Sequence, residues 1–383
     1  SEKGNDRITF VSGGVLKSSR WDGSDVRDIV KTPARASFVA PSPDGKWLAL
    51  GYEIDIYITL MPQSEDGETP EVDIKKTGKR VSFEGGNFPH WRDKNTLEFV
   101  GPKSYYNYNL KTEIVSKVNL NHRVKRNNAK GQVALVGARI LTMENRKVIE
   151  KGTVIISEGR ILCVGECDTS KADEVLNFDG KTIMPGWVDL HAHHLFYDGN
   201  SGIIPQHRPS SANYLANGVT TVNDPSVNMI HGFSIGEMIE AGKIVGPRTY
   251  GGPAVTCGGW SPLREIATYE DAENIINWQA NLGVIQVKDY KQCNRIQRTM
   301  LAEATRGRGL SLTSEGSDLD YIMGLIMTGH AGWEHPLQIL PIYKDVSQFF
   351  GQAKAHYSSQ LLISDYPLGS AIEYRDGGEE LFD

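Results

Sequence analysis

Cysteine is scarce in this chain, and long apolar runs are missing. The 383 residues hold four cysteines, Cys163, Cys167, Cys257 and Cys293, too few and too scattered for a disulfide scaffold. Cys163 lies in the apolar run Ile161-Leu162-Cys163-Val164 and reads as a small buried residue with a structural role, rather than a ligand. Nothing approaches the roughly 18 consecutive apolar residues of a membrane-spanning helix. Ser1 to Ile8 is polar and charged, so no signal peptide is expected. There is no surplus of basic residues either. Lys and Arg number 41 against 47 Asp and Glu, giving a net charge of −6 and a pI near 6.0, which argues against nucleic acid or an anionic membrane as partner.

What is present is ordinary for a globular protein: 39% hydrophobic and 23% charged residues, in a chain longer than one average domain. The first stretch, 1–118, is β in style. Short alternating strands are separated by turn clusters such as Gly13-Gly14 and Trp21-Asp22-Gly23, at the spacing of about 8 to 12 residues that marks a sandwich or a propeller. A weak repeat favours the propeller. Ser42-Pro43-Asp44-Gly45-Lys46-Trp47-Leu48-Ala49-Leu50 is echoed about 49 residues later by Trp91-Arg92-Asp93-Lys94-Asn95-Thr96-Leu97-Glu98-Phe99, within the usual range of blade periods. The material suffices for two blades or a little more, where a propeller has typically about 4 to 8. Fewer than four blades are therefore expected, with an edge strand exposed or covered by another copy of the chain.

Residues 119–131 form a basic polar linker, with His122-Arg123-Val124-Lys125-Arg126 read as a solvated connector. In 132–183, Val133 to Leu141 and Gly152 to Val164 alternate as strands, with Asn145-Arg146 and Glu158-Gly159 at hairpin tips. From 184 onward strands alternate with helical segments, the pattern of parallel α/β architecture. Candidate strands lie at 186–191, 218–223, 248–255, 284–289, 310–315, 331–335 and 358–364. Helices run from Asp271 to Leu282, closed by Gly283, and from Ile296 to Arg306, closed by Gly307.

Met184 to His194 organises the chemistry. It reads as a short buried strand with Trp187, Val188 and Leu190 among its apolar members, delivering His191 and His193 at its end. Residues two apart on a strand share a face, so the two imidazoles can address one cation. By the same alternation His194 points the other way, and His207, His231 and His330 fall in loops or off strand ends. Asp189 is expected to support the turn, and Gly258-Gly259-Trp260 to form a loop over a pocket.

These motifs, followed by Asn217-Gly218-Val219-Thr220-Thr221-Val222 and Gly242-Lys243-Ile244-Val245-Gly246-Pro247-Arg248, resemble the amidohydrolase superfamily, in its imidazolonepropionase-like and prolidase-like branch. The Ser-Pro-Asp-Gly-Lys-Trp stretch resembles the blades of Tol-type propellers. The resemblance implies a multidomain β plus α/β protein: a partial β-propeller at 1–118, a small β-sandwich at 132–183, and at 184–383 a (β/α)₈ barrel lacking its last strand, a slice of a longer protein. It implies one or two divalent metal ions, zinc or else manganese, held by His191, His193, Lys288 and His335, with Lys288 carboxylated as in many relatives. Glu315 stands where many relatives have histidine; it is either a metal ligand or a partner that orients a histidine.

The implied reaction is hydrolysis of an amide, peptide or cyclic amide by metal-activated water, on a small-molecule or peptide-like substrate. The family's proton acceptor, an aspartate ending the eighth strand, has no counterpart here, since Asp365 and Asp376 come too early for it. The 383 residues are therefore expected to bind metal weakly and to turn over little, unless one of these carboxylates stands in. A homo-oligomer and a periplasmic or secreted location are further expectations. A barrel that binds without turnover, with Glu315 as its mark, and a propeller-centred interaction protein are the alternative readings.

Overall fold

The structure, a computed structural model, describes residues 7–34, 36–64, 67–120, 122–193, 208–227, 229–256, 266–290, 294–316, 318–337 and 341–359. They fall into two compact units, one drawn from 1–122 and 253–383 and the other from 123–252. No helix among them is long and apolar enough to cross a membrane.

The amino-terminal part of the first unit is a series of three antiparallel sheets. The strands Arg7–Ser12, Val15–Arg20 and Arg27–Lys31 form the first. Ala36–Pro41, Trp47–Tyr52, Asp55–Leu60 and Lys79–Arg80 form the second, and Asn87–Asp93, Thr96–Val100, Ser104–Asn109 and Val115–Asn119 the third. Period-2 alternation along Trp47–Tyr52 explains how they pack. Leu48 and Leu50 join Leu16, Val30, Val72 and Ile74 on the side of the first sheet. Ala49 joins Ile56, Ile58, Trp91, Leu97 and Phe99 on the side of the third. Both leucines are fully buried, each contributing on the order of 1.5–3 kcal/mol. The sequence echo coincides with corresponding strands: Trp47–Tyr52 and Thr96–Val100 are each the second of their sheet. Each follows an aspartate-led turn, in which Asp44 accepts from the Lys46 amide and Asp93 from the Asn95 amide.

This β region packs on the helix Tyr269–Leu282, where Trp278 is buried. Gly85 has φ +83, and a Cβ there would collide with the Trp278 indole. Gly85→Ala therefore meets both a left-handed backbone and an overfilled contact. It should lower stability by about 1–3 kcal/mol in denaturant unfolding; an unchanged midpoint would show that this contact does not hold the unit together.

The carboxy-terminal part of the first unit is a parallel sheet in the order Val255–Thr256, Gln286–Tyr290, Ser311–Glu315, Gly332–Glu334, His356–Ser358. Its helices cover one face. Tyr269–Leu282 begins two residues before the expected Asp271, with a capping box between Thr268 and Asp271, and ends at Gly283 with φ 96, the expected closure. Arg295–Gly307 has a second capping box, Asn294 with Gln297. Its closure differs from expectation: Gly307 stays helical, and the left-handed residue is Gly309, φ +66, the position from which the chain turns back so that Leu310 N–H reaches the Thr305 carbonyl. Trp333 packs with Ile322, Ile326, Leu337 and Phe350, stacked on Tyr357 at 4.6 Å. The seventh strand is His356–Ser358, earlier than expected; 360–364 lie outside the described residues.

The second unit contains two sheets. Gln132–Leu141, Val148–Ser157, Arg160–Gly165, Glu174–Asn177 and Thr182–Ile183 build one mixed sheet, where the resemblance led us to expect a sandwich. Among the described residues it is a single layer, because Glu174–Asn177 and Thr182–Ile183 both pair in parallel with Gln132–Leu141 instead of starting a second layer. Asn145-Arg146 and Glu158-Gly159 do form the tips, all four residues with positive φ, as tight hairpin turns require. Cys163 is half-buried and disulfide-bonded to Cys167, which corrects its reading as an inert buried residue: an apolar run on an edge strand is not a buried one. Cys257 and Cys293 lie outside the described residues.

The other sheet is parallel, in the order Trp187–Asp189, Val219–Asp224, Arg248–Gly251. The first strand was expected to be buried, yet Trp187, Val188 and Leu190 are 63%, 57% and 51% exposed. Its edge position explains this, since among the described residues it pairs on one side alone. The expected strand 248–255 is divided into Arg248–Gly251 and Val255–Thr256, with Gly252-Pro253 in the break, where proline cannot donate to a ladder. The linker 122–130 has no regular structure, but it is tied to this unit through Arg126–Glu240 at 3.0 Å and the Asn127 amide on the Ala241 carbonyl.

Candidate metal centre

The candidate site residues fall into two groups of side chains, on or just after parallel strands, one in each unit. In the second unit the strand ending at Asp189 is followed at once by the histidines. Asp189 accepts from the His191 amide at 3.0 Å, and Ala192 N–H bonds the Asn223 carbonyl, which holds the turn to the neighbouring strand. His191 Nε2 and His193 Nε2 then approach to 3.1 Å, with the rings edge-on at 88°. Two nitrogens bonded to one tetrahedral ion at about 2.0–2.1 Å would stand roughly 3.3 Å apart, so this pair has the spacing of two ligands. On the far side of its ring, His193 Nδ1 meets Asp224 Oδ1 at 3.2 Å. Asp224 is fully buried and ends the strand Val219–Asp224. With Nδ1 turned to this carboxylate, it is Nε2 of His193 that faces His191, the usual arrangement behind a metal-binding imidazole. Tyr214 lies close by; burial, then the charges of Asp189 and Asp224, push its phenol up, so it stays a neutral hydroxyl.

In the first unit Lys288, Glu315 and His335 come from three successive strands or their ends. Lys288 is 1% exposed and Glu315 5%. Glu315 Oε1 lies 2.5 Å from Lys288 Nζ and 2.9 Å from His335 Nε2. Burial works to raise the Glu315 carboxyl. The His335 hydrogen bond and the Lys288 charge outweigh it and hold the group at about 2. Lys288 Nζ also sits 5.1 Å over the Tyr290 ring, a cation–π contact. His335 has φ 76, a conformation costly for a residue with a side chain and concentrated at functional sites; its amide bonds the Ser358 carbonyl at 2.9 Å.

All five residues singled out in the sequence are thus placed: His191 with His193, and Lys288 and His335 around Glu315. Asp224, Asp289 and His330 were not singled out as site residues. The available signal for Asp224 was a carboxylate at the end of a parallel strand, where barrel chemistry resides. His194, His207, Asp365, Asp376 and Gly258-Gly259-Trp260 lie outside the described residues, as does the side chain of His231. The donors present, imidazoles and a carboxylate ionised at neutral pH, suit zinc, and the carboxylate admits manganese.

No family model matches the chain. It is similar to an imidazolonepropionase of Serratia proteamaculans, 36% identical over 84 residues, covering 20% of each chain. It is also similar to a 5'-deoxyadenosine deaminase of Methanosarcina mazei, 37% identical over 62 residues, 16% of this chain and 14% of the relative. Among solved structures, the crystal structure of an uncharacterized protein matches with TM-score 0.50 and 18% identity, covering 60% of this chain and 66% of the other, a likeness of fold alone. The chain thus spans about a fifth or less of the length of these curated relatives.

Proposed function

We propose that the protein is a metal-dependent amidohydrolase that hydrolyses a C–N bond of a small amide, peptide or cyclic amide. The observation that carries this reading is the pair of imidazole nitrogens 3.1 Å apart, backed by a buried carboxylate. His191 and His193 would hold a divalent ion, and we propose metal-site roles for Lys288, Glu315 and His335 as well. Bound there, the ion would supply Lewis-acid activation of water and of a carbonyl oxygen. The chain's own residues do the rest. Asp224 fixes the His193 ring, and Asp189 fixes the backbone that carries His191. Glu315, ionised far below neutrality, holds Lys288 and His335 in register and supplies negative charge toward a cation. The parallel pairing in each unit, with helices between strands, supports a (β/α) barrel as the scaffold. The serial packing of three sheets and the repeated aspartate turn support a propeller for the amino-terminal region.

The 2.5 Å contact of Lys288 with Glu315 favours a second form of the centre, in which the lysine stays an ammonium rather than a carboxylated ligand. Intact-mass analysis in bicarbonate decides between them: a species heavier by one CO₂, lost on Lys288→Ala, is expected only for the carboxylated form. Activity is tested by assaying N-acyl amino acids, dipeptides and cyclic amides with and without a chelator. Chelator-sensitive hydrolysis supports the reading, and hydrolysis indifferent both to chelation and to His191→Ala would refute it.

For location we propose an oxidising compartment, supported by the Cys163–Cys167 disulfide. Peptide mapping of protein from its native source should recover the segment around these cysteines lighter by two hydrogens before reduction; recovery as free thiols would count against that location.

A further inference from the structure

On the face of the parallel sheet opposite Lys288 lies a second buried polar group. Asp289 and His330 have wholly buried side chains, with Asp289 Oδ2 3.2 Å from His330 Nε2. Strand alternation sends Asp289 to the helix-covered face while its neighbour Lys288 points to the other. His330 follows Gly329, the left-handed cap of the helix Leu319–Thr328, and precedes the strand Gly332–Glu334 that leads to His335.

The hydrogen bonds fix where the protons are. The Thr328 hydroxyl donates to the Leu325 carbonyl at 2.8 Å. His330 Nδ1, 3.0 Å from that carbonyl and 3.2 Å from the Thr328 oxygen, faces two acceptors and has to donate. Nε2 would then direct a lone pair at a carboxylate unless one further proton lies between them. The 3.2 Å contact is therefore a hydrogen bond, closed in a site where both side chains are wholly buried. Ser314, on the intervening strand, donates to the Asp289 carbonyl at 2.8 Å, and Asp289 stands in register with Ser314.

Lys288, Glu315 and His335 come from or follow three successive strands, and the Asp289–His330 bond spans the outer two from behind the middle one. We propose that Asp289 and His330 are positioning residues: their hydrogen-bonded bridge sets the separation of the Lys288 and His335 strands, and so the arrangement of both side chains around Glu315. The proposal rests on the reading of Lys288, Glu315 and His335 as parts of a metal centre for its functional consequence, though not for its geometry. It also accounts for a buried polar pair where an apolar pair would pack at no desolvation cost.

The test uses the full chain and two readouts. The first is the ¹⁵N signal of the His335 ring in metal-free protein, assigned by its loss in His335→Gln. Asp289→Ala and His330→Gln should both shift it, and Asp289→Asn, whose amide can donate to Nε2, should restore it toward the wild-type position. Ile326→Val, a core change in the same helix, should leave it unmoved at equal loss of stability. If Asp289→Ala does not fold, His330→Gln against Asp289→Asn carries the comparison. The second readout is Co(II) affinity, expected to fall on the order of 10-fold in the variants that break the bridge. If wild-type protein binds no Co(II), the metal reading fails while the ring signal still decides the positioning role. A folded Asp289→Ala or His330→Gln protein with the His335 signal at its wild-type position would overturn the proposal.

Discussion

Glu315→Gln destabilises the metal-free protein by about 3–5 kcal/mol, the usual consequence of removing one partner from a buried ion pair. The ammonium of Lys288 is 1% exposed, and Glu315 lies 2.5 Å from it. Glutamine keeps the shape and removes the charge, leaving the ammonium buried opposite a weak dipole. The same interaction predicts the pH dependence. The Glu315 carboxyl is lowered from 4.5 to about 2, so the unfolded chain takes up its proton first as pH falls. Its contribution, on the order of 3 kcal/mol for a shift of that size, is fully present above pH 4.5 and lost progressively as pH falls toward 2. Urea unfolding between pH 2 and 6 checks both statements. Wild type should lose stability through this window, and Glu315→Gln should show a flatter profile. Parallel profiles would mean that Glu315 does not carry the interaction.

The second large effect is expected at Asp224. Its carboxylate is fully buried and lies 3.2 Å from His193 Nδ1, where it would select the tautomer whose Nε2 can accept the proposed ion. Asp224→Asn preserves volume but can present either end of an amide to the ring. Metal affinity should fall on the order of 10–100-fold, as for other outer carboxylates behind metal-binding histidines, with little change in unfolding midpoint. Competition against a chromophoric chelator measures it; an affinity equal to wild type would leave Asp224 a merely structural residue.

Much of this arrangement is legible in the residues because strand ends announce themselves. His191 and His193 are two apart after an apolar run, and Lys288 and His335 each close a stretch of strand character. Local pattern failed where exposure depends on the sheet as a whole. Trp187, Val188 and Leu190 read as buried, and their exposure follows from an edge position that no alternation reports. Cys163 read as a core residue for the same reason, and the four-residue separation from Cys167 gave no geometric hint of a bridge. The break in the third strand had a local signal in Gly251-Gly252-Pro253. The Asp289–His330 pair had none, because its members are 41 residues apart and meet only when strand and helix pack. Glu315 could be located in the sequence but not understood there. It contacts both Lys288 and His335, a geometry open to either role, ligand or partner that orients a histidine.

The measurement that tests the account most directly is a calorimetric titration of chelator-treated protein with Zn(II), run beside the His191→Ala/His193→Ala double variant. The account predicts saturable binding by the wild-type chain, at one or two ions, that the double variant loses while keeping its fold by circular dichroism. Binding that is absent from wild type, or identical in the folded double variant, would contradict it.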